Sequence, residues 1–303
     1  MLAAPLLISR PTLPALMKKI TRHPASFYEQ QYNARASIPD HPQLFQRWAD
    51  ASAVVRQTFP CTLDLRYGAA VAEGLDFFPC GQANAPLLVF IHGGWWRSLD
   101  KSDFSFIAPA FMQAGIDVAI TNYTLAPAAT IEQITLQQIH AVAWLYHHAA
   151  DYGFDRTRIV LAGHSAGAHL AAMLMATLWP QVGPKLPVDL IKGGILLSGL
   201  YDLAPVMHAD FVNGDLGLTP ARSRALSPSR MPQSHRTPFF TAVGGRESDE
   251  FKRQNALIGQ HWKKAHAGDI LLPEDHHLSI CEAFASPTNA LCTTAIALLN
   301  MVG

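Results

Sequence analysis

RIVLAGHSAGAHLAAM, residues 158–173, is apolar up to Ala162 and rich in alanine after Ser165. The first half reads as a strand buried on both faces, and the second as a helix whose small residues permit close packing on a sheet. Between them, Gly163-His164-Ser165-Ala166-Gly167 fits the G-x-S-x-G pattern. A sharp strand-to-helix turn holds a serine hydroxyl clear of the sheet, and flanking glycines spare it backbone clashes. The new helix also aims its free amides and positive dipole end at the serine. Three fixed positions are a weak signal by themselves. A serine hydroxyl is a poor nucleophile until a base takes its proton, so partners must be found elsewhere in the chain.

Working outward, the same kind of short apolar run recurs. It appears at LDFF (75–78), PLLVFIHG (86–93), DVAITNY (117–123), GGILLSGL (193–200), PFFTAVGG (238–245) and DILLP (269–273). Helical patterns lie between these runs. Residues 103–114 form one, limited by Pro109. Thr130 and Gln133 form a capping box that opens another, ending at Gly153. Residues around 249–265 and 288–300 supply two more. Strand alternating with helix predicts an α/β fold, a mostly parallel sheet with helices on both faces. We read 1–303 as a single domain. Residues 1–60 form an N-terminal helical segment, and 201–237 break the rhythm as a long proline-rich insertion. A segment of that length inside a compact domain predicts a lid or pocket wall at the strand ends.

Composition narrows the chemistry. With 303 residues, 49% of them hydrophobic, the chain can bury a large core. Lys+Arg and Asp+Glu both number 23, so no net charge favours nucleic acid or an anionic membrane. A small-molecule substrate is the expected partner, and a homodimer the expected assembly. Cys61, Cys80, Cys281 and Cys292 show no CxxC or zinc spacing. The histidines show no HExxH arrangement, so neither a metal nor another cofactor is expected. MLAAPLLISRPTLP (1–14) lacks the basic start and the long apolar run of a secretory signal, and no run of 18 apolar residues is present. The expected location is cytoplasmic.

Ser165 finds its partners in three places. FIHGGWWRS (90–98) ends an earlier strand, and adjacent glycines there let backbone amides face an incoming oxyanion. GGRESDEF offers Glu247, Asp249 or Glu250 as an acid, and PEDHHLSI offers His276 or His277 as a base. Ser248 can cap the helix that follows it, which places Asp249 and Glu250 in the first turn, where the helix dipole alone accounts for their charge. Glu247 precedes the cap and is free to turn toward a histidine. Oxyanion loop, serine, acid, histidine is the chain order of α/β-hydrolases.

Over nearly its whole length the sequence resembles the arylformamidase (kynurenine formamidase) branch of the α/β-hydrolases, close to the hormone-sensitive-lipase-like esterases. His92-Gly93-Gly94-Trp95-Trp96 fits the HGGxW motif, and YNARASIPD, NYTLAP (122–127), GHSAGAHLAA, SGLYDL (198–203), ESDEFKRQ and HHLSI match as well. The resemblance implies that Ser165 is the nucleophile, His277 the general base and Glu247 its orienting acid, where the family usually has aspartate. His277 is preferred over His276 because it directly precedes the apolar residue and serine of HLSI. Amides of Gly93, Gly94 and Ala166 would form the oxyanion hole. Trp95, Tyr123 and Tyr201 are the substrate-binding candidates, with Trp96 packed beneath the loop and His92 bracing it. The implied reaction is hydrolysis of an N-formyl arylamine of the N-formylkynurenine type to formate and amine. Alternatives are a carboxylesterase for short acyl or aryl esters and a non-catalytic binding protein on the same fold.

Overall fold

The computed structural model describes residues 23–302, so the N-terminal stretch 1–14 lies outside the described residues. Eight strands form one sheet in the order β1-β2-β4-β3-β5-β6-β7-β8. They are β1 (Thr62–Arg66), β2 (Gly74–Phe78), β3 (Ala85–Ile91), β4 (Asp117–Thr121), β5 (Phe154–His164), β6 (Ile191–Leu197), β7 (Phe239–Gly244) and β8 (His266–Leu272). Strands β3 to β8 run parallel; β1 and β2 add an antiparallel edge. Strand β1 is absent from the sequence reading, and its largely exposed pattern explains why: an edge strand with no buried face gives no apolar run.

The helices are α1 (Ala25–Tyr32), α2 (His41–Thr58), α3 (Ala108–Gln113), α4 (Ile131–Tyr152), α5 (Ala166–Met175), α6 (Trp179–Val182), α7 (Asp210–Leu216), α8 (Pro220–Ala225), α9 (Asp249–His261), α10 (Ser279–Ala285) and α11 (Ala290–Met301). Thr130 and Gln133 do form a capping box on α4, which Gly153 closes in the left-handed conformation. The expected 103–114 helix is instead a 3₁₀ turn over Lys101–Ile107 followed by α3. Pro109 stands in the first turn of α3, where a missing N–H costs nothing, so it starts the helix rather than kinking it.

Period-two alternation divides the core. Leu87, Val89 and Ile91 of β3, with Ile159 and Leu161 of β5, enter the layer shared with α4 and α5. Leu88, Phe90, Val160 and Ala162 enter the opposite layer, with Trp48 of α2, Phe284 of α10 and Leu298 of α11. Central strands buried on both faces must be apolar throughout, which is why they were legible as unbroken runs. Among the described residues no helix is long and apolar enough to cross a membrane.

Candidate active site

The site gathers at the C-terminal ends of the parallel strands. Ser165 joins β5 to α5 with φ 56° and ψ −117°, a conformation that ordinary residues avoid. Its amide donates to Leu197 O at 2.8 Å, which ties the turn to β6. Gly167 must lack a side chain, because a Cβ there would overlap the carbonyl oxygen of Ile91 on β3. That close approach seats the N-terminus of α5 directly beside the oxyanion loop.

His277 lies in the turn between β8 and α10, with its Nε2 3.0 Å from Ser165 Oγ. Its Nδ1 is 2.6 Å from Glu247 Oε2. A carboxylate only accepts, so Nδ1 carries the ring proton and Nε2 is free to take one from the serine. The second carboxylate oxygen, Glu247 Oε1, accepts from the Ser198 hydroxyl at 2.5 Å and from the Gly244 amide at 2.7 Å. Glu247 therefore stays ordered with every donor it needs, in a side chain with no exposure. The acid and histidine loops nearly touch: a Cβ at Gly244 would overlap Asp275 O. The His277 ring is held between Phe251 and His164, with ring centroids 4.3 and 4.7 Å away.

The competing residues are occupied elsewhere. His276 Nδ1 accepts the amides of Leu278 and Ser279, so that ring caps the start of α10. Asp249 is exposed in the first turn of α9, which Ser248 caps. Glu250 accepts from Tyr32 at 2.5 Å and from Arg253, tying α1 to α9.

In the oxyanion loop, Gly94 O accepts from the amides of Arg97 and Ser98 and from the Ser98 hydroxyl, which folds the loop back on itself. No acceptor among the described residues engages the amides of Gly93, Gly94 or Ala166. His92 braces the loop between Gly93 O at 2.8 Å and Asn122 Oδ1 at 2.9 Å; burial lowers its pKa, and its contacts with those two oxygens oppose that shift. His164 Nε2 donates to His277 O at 2.7 Å, leaving Nδ1 buried without a partner. Burial, reinforced by neighbouring His277, holds His164 well below the usual histidine pKa.

A cavity of about 20 Å³ adjoins the serine, lined by Ser165, His277, His164, Gly94, Trp95, Leu99 and Leu278, together with Ala34, Arg35, Phe45 and Trp48. Trp95 faces this space, whereas Trp96 is fully buried against His169. Two expectations are corrected. Tyr123 and Tyr201 do not line the cavity: both are fully buried. The Tyr123 hydroxyl donates to His92 O behind the loop, and the Tyr201 amide donates to Gln254. Segment 201–237 does not wall the cavity either. Phe211 packs edge-on against Trp95, and Asp215 accepts from Arg97 at 2.6 Å, so the segment buttresses the outside of the oxyanion loop. The wall over Ser165 comes from α2 and the connection before it, whose mixed pattern gave no sign of this role. Ser198 was also missed; a serine ending an apolar run in SGLYDL was its one visible trace. Among the described residues no cluster of three or more His, Cys, Asp or Glu could hold a metal ion.

A mostly parallel sheet carrying a serine, a histidine and a carboxylate in one hydrogen-bonded relay belongs to the α/β-hydrolase superfamily, and the chain is a hydrolase of that class. A BD-FAE family model matches residues 76–180, from β2 into α6. The chain is 31% identical over 295 residues to a kynurenine formamidase of Danio rerio, covering 92% of this chain and 93% of that protein. With a kynurenine formamidase of Salmo salar it shares 30% identity over 277 residues, 84% of this chain and 88% of the other. The chain belongs to the kynurenine formamidase family. Among solved structures it is similar to a candidate thioesterase of Silicibacter sp. TM1040, with TM-score 0.79 and 30% identity across 90% of this chain and 98% of that one.

Proposed function

We propose that the chain hydrolyses N-formyl arylamines of the N-formylkynurenine type to formate and the free amine, with Ser165 as nucleophile, His277 as general base and Glu247 as its orienting acid. Ser165 Oγ attacks the formyl carbon while His277 Nε2 takes its proton, and Glu247 stabilises the imidazolium that forms. The carbonyl oxygen becomes an oxyanion that accepts from the amides of Gly93, Gly94 and Ala166, each such donor stabilising the tetrahedral intermediate by about 3–4 kcal/mol. His277 returns the proton to the leaving nitrogen, and the C–N bond breaks to leave a formyl ester on Ser165. A water, deprotonated by His277, then attacks that ester and releases formate.

The observation that carries the formyl assignment is the likeness, over most of the chain, to the two kynurenine formamidases. The cavity at Ser165 is narrow, and a small acyl group suits it better than an alkyl chain. Trp95 and Trp48 close the space with stiff rings. A second reading, a short-chain carboxylesterase, uses the same machinery and is favoured by the likeness to the candidate thioesterase. One experiment separates the two: kcat/KM for N-formylkynurenine beside aryl acetate and aryl octanoate. The formamide should be the best substrate, and acetyl should exceed octanoyl by at least about tenfold, roughly 1.4 kcal/mol in the barrier. Preference for acetate over formamide would favour the esterase, and equal rates for acetate and octanoate would refute the small acyl site. We also place the enzyme in the cytoplasm, a reading supported by four free thiols, two of them buried.

A further inference from the structure

Arg35 lies in the connection between α1 and α2 and lines the same cavity as Ser165 and His277. Its guanidinium stacks over the Phe45 ring, 5.1 Å from the centroid. One Nη donates to Ser98 Oγ at 2.7 Å, and that hydroxyl donates in turn to Gly94 O at 2.9 Å. A short chain of hydrogen bonds thus connects Arg35 to the oxyanion loop. Among the described residues no carboxylate lies within ion-pair distance of it, and its remaining N–H donors have no protein acceptor. Arg97, a neighbouring cation, is itself paired with Asp215. Burial first, and Arg97 second, lower the Arg35 pKa from its ordinary value.

A half-buried guanidinium without a counter-ion is costly unless an anion arrives to accept its donors. Its planar fork matches a carboxylate in bidentate fashion, and stacking on Phe45 holds the fork in place beforehand. Arg35, with Ala34 and Phe45, stands on the wall contributed by the N-terminal segment, where a leaving group can extend. We infer that Arg35 is the docking point for a carboxylate carried on the arylamine leaving group, and that it selects anionic substrates over neutral ones. This inference rests on the N-formyl arylamine reading for the leaving group, but its test is independent of that reading.

The test measures kcat/KM for two matched pairs: N-formylkynurenine beside its carboxamide, and a carboxylate-bearing aryl acetate beside its carboxamide. In the wild type the acid should exceed the amide by at least about tenfold within a pair, as expected for one charge-assisted bidentate contact. Arg35→Gln should collapse that ratio to about threefold or less, and Arg35→Lys should retain part of it. A wild-type ratio near one in both pairs overturns the inference, as does an unchanged ratio in Arg35→Gln. If neither formamide is cleaved while the ester pair shows an Arg35-dependent preference for the acid, the formamidase reading fails and the carboxylate site stands. If both formamides are cleaved equally well, the carboxylate site fails and the formamidase reading stands. Should Arg35→Gln not fold, the wild-type ratio and the Arg35→Lys ratio decide.

Discussion

Replacing Glu247 with glutamine changes one carboxylate oxygen into an amide NH₂ and leaves the side-chain shape intact. Three donors converge on the carboxylate: the Ser198 hydroxyl and Gly244 amide on Oε1, and His277 Nδ1 on Oε2. Glutamine cannot accept all three. If its oxygen faces Gly244 and Ser198, its NH₂ points at the His277 N–H, and the ring escapes only by moving its proton to Nε2. A histidine protonated at Nε2 donates to Ser165 and cannot take its proton. In the flipped orientation the NH₂ opposes the Gly244 amide, a fixed backbone donor, so the first arrangement prevails. The wrong tautomer, with no carboxylate to stabilise the imidazolium, costs about 10⁴-fold in kcat where a triad acid has been neutralised elsewhere. That loss corresponds to about 5 kcal/mol in the barrier. Formate release under saturating substrate measures it, and the absence of a burst of free amine checks that acylation of Ser165 is the slow step. Asp249→Asn is the control: exposed in the first turn of α9, Asp249 should contribute only about 0.3–1 kcal/mol to stability and nothing to kcat. Activity of Glu247→Gln within about tenfold of the wild type, or a dead Asp249→Asn, would refute this assignment.

Ser165→Ala should lower kcat by about 10⁴-fold or more while thermal unfolding stays near the wild-type midpoint, since one hydroxyl adds little to packing. Residual activity within tenfold of the wild type would remove the serine from the mechanism. Gly167→Ala should destabilise the fold by about 3–5 kcal/mol in chemical denaturation, because its Cβ overlaps carbonyl oxygens at Ile91 and His92 and forces α5 away from β3. An unchanged denaturation midpoint would show that the helix and oxyanion loop are not in rigid contact.

The sequence by itself made the central strands legible, together with the chain order of serine, acid and histidine. Runs such as PLLVFIH and RIVLAGH are apolar because the central strands are buried on both faces, and burial of that kind leaves a local signature. Ser165 was legible because a strand-to-helix turn imposes small residues at fixed offsets, and Glu247 was separable from Asp249 because helix capping is governed by adjacent residues. The tertiary structure decided what depends on distant segments meeting. Ser198 supports Glu247 across a separation of 49 residues, and His164 holds the His277 carbonyl across 113. The wall over Ser165 was assigned from the sequence to the irregular 201–237 segment, yet Ala34, Arg35, Phe45 and Trp48 supply it. Irregular composition shows that a segment leaves the sheet, but not which way it folds back. Tyr123 and Tyr201 illustrate the same limit, since an aromatic near a strand end can face the cavity or the core, and only packing against His92 and its neighbours chose the core. Local physics is written in neighbouring residues; the composition of a pocket depends on how far-separated chain segments pack, and that is fixed by the whole fold.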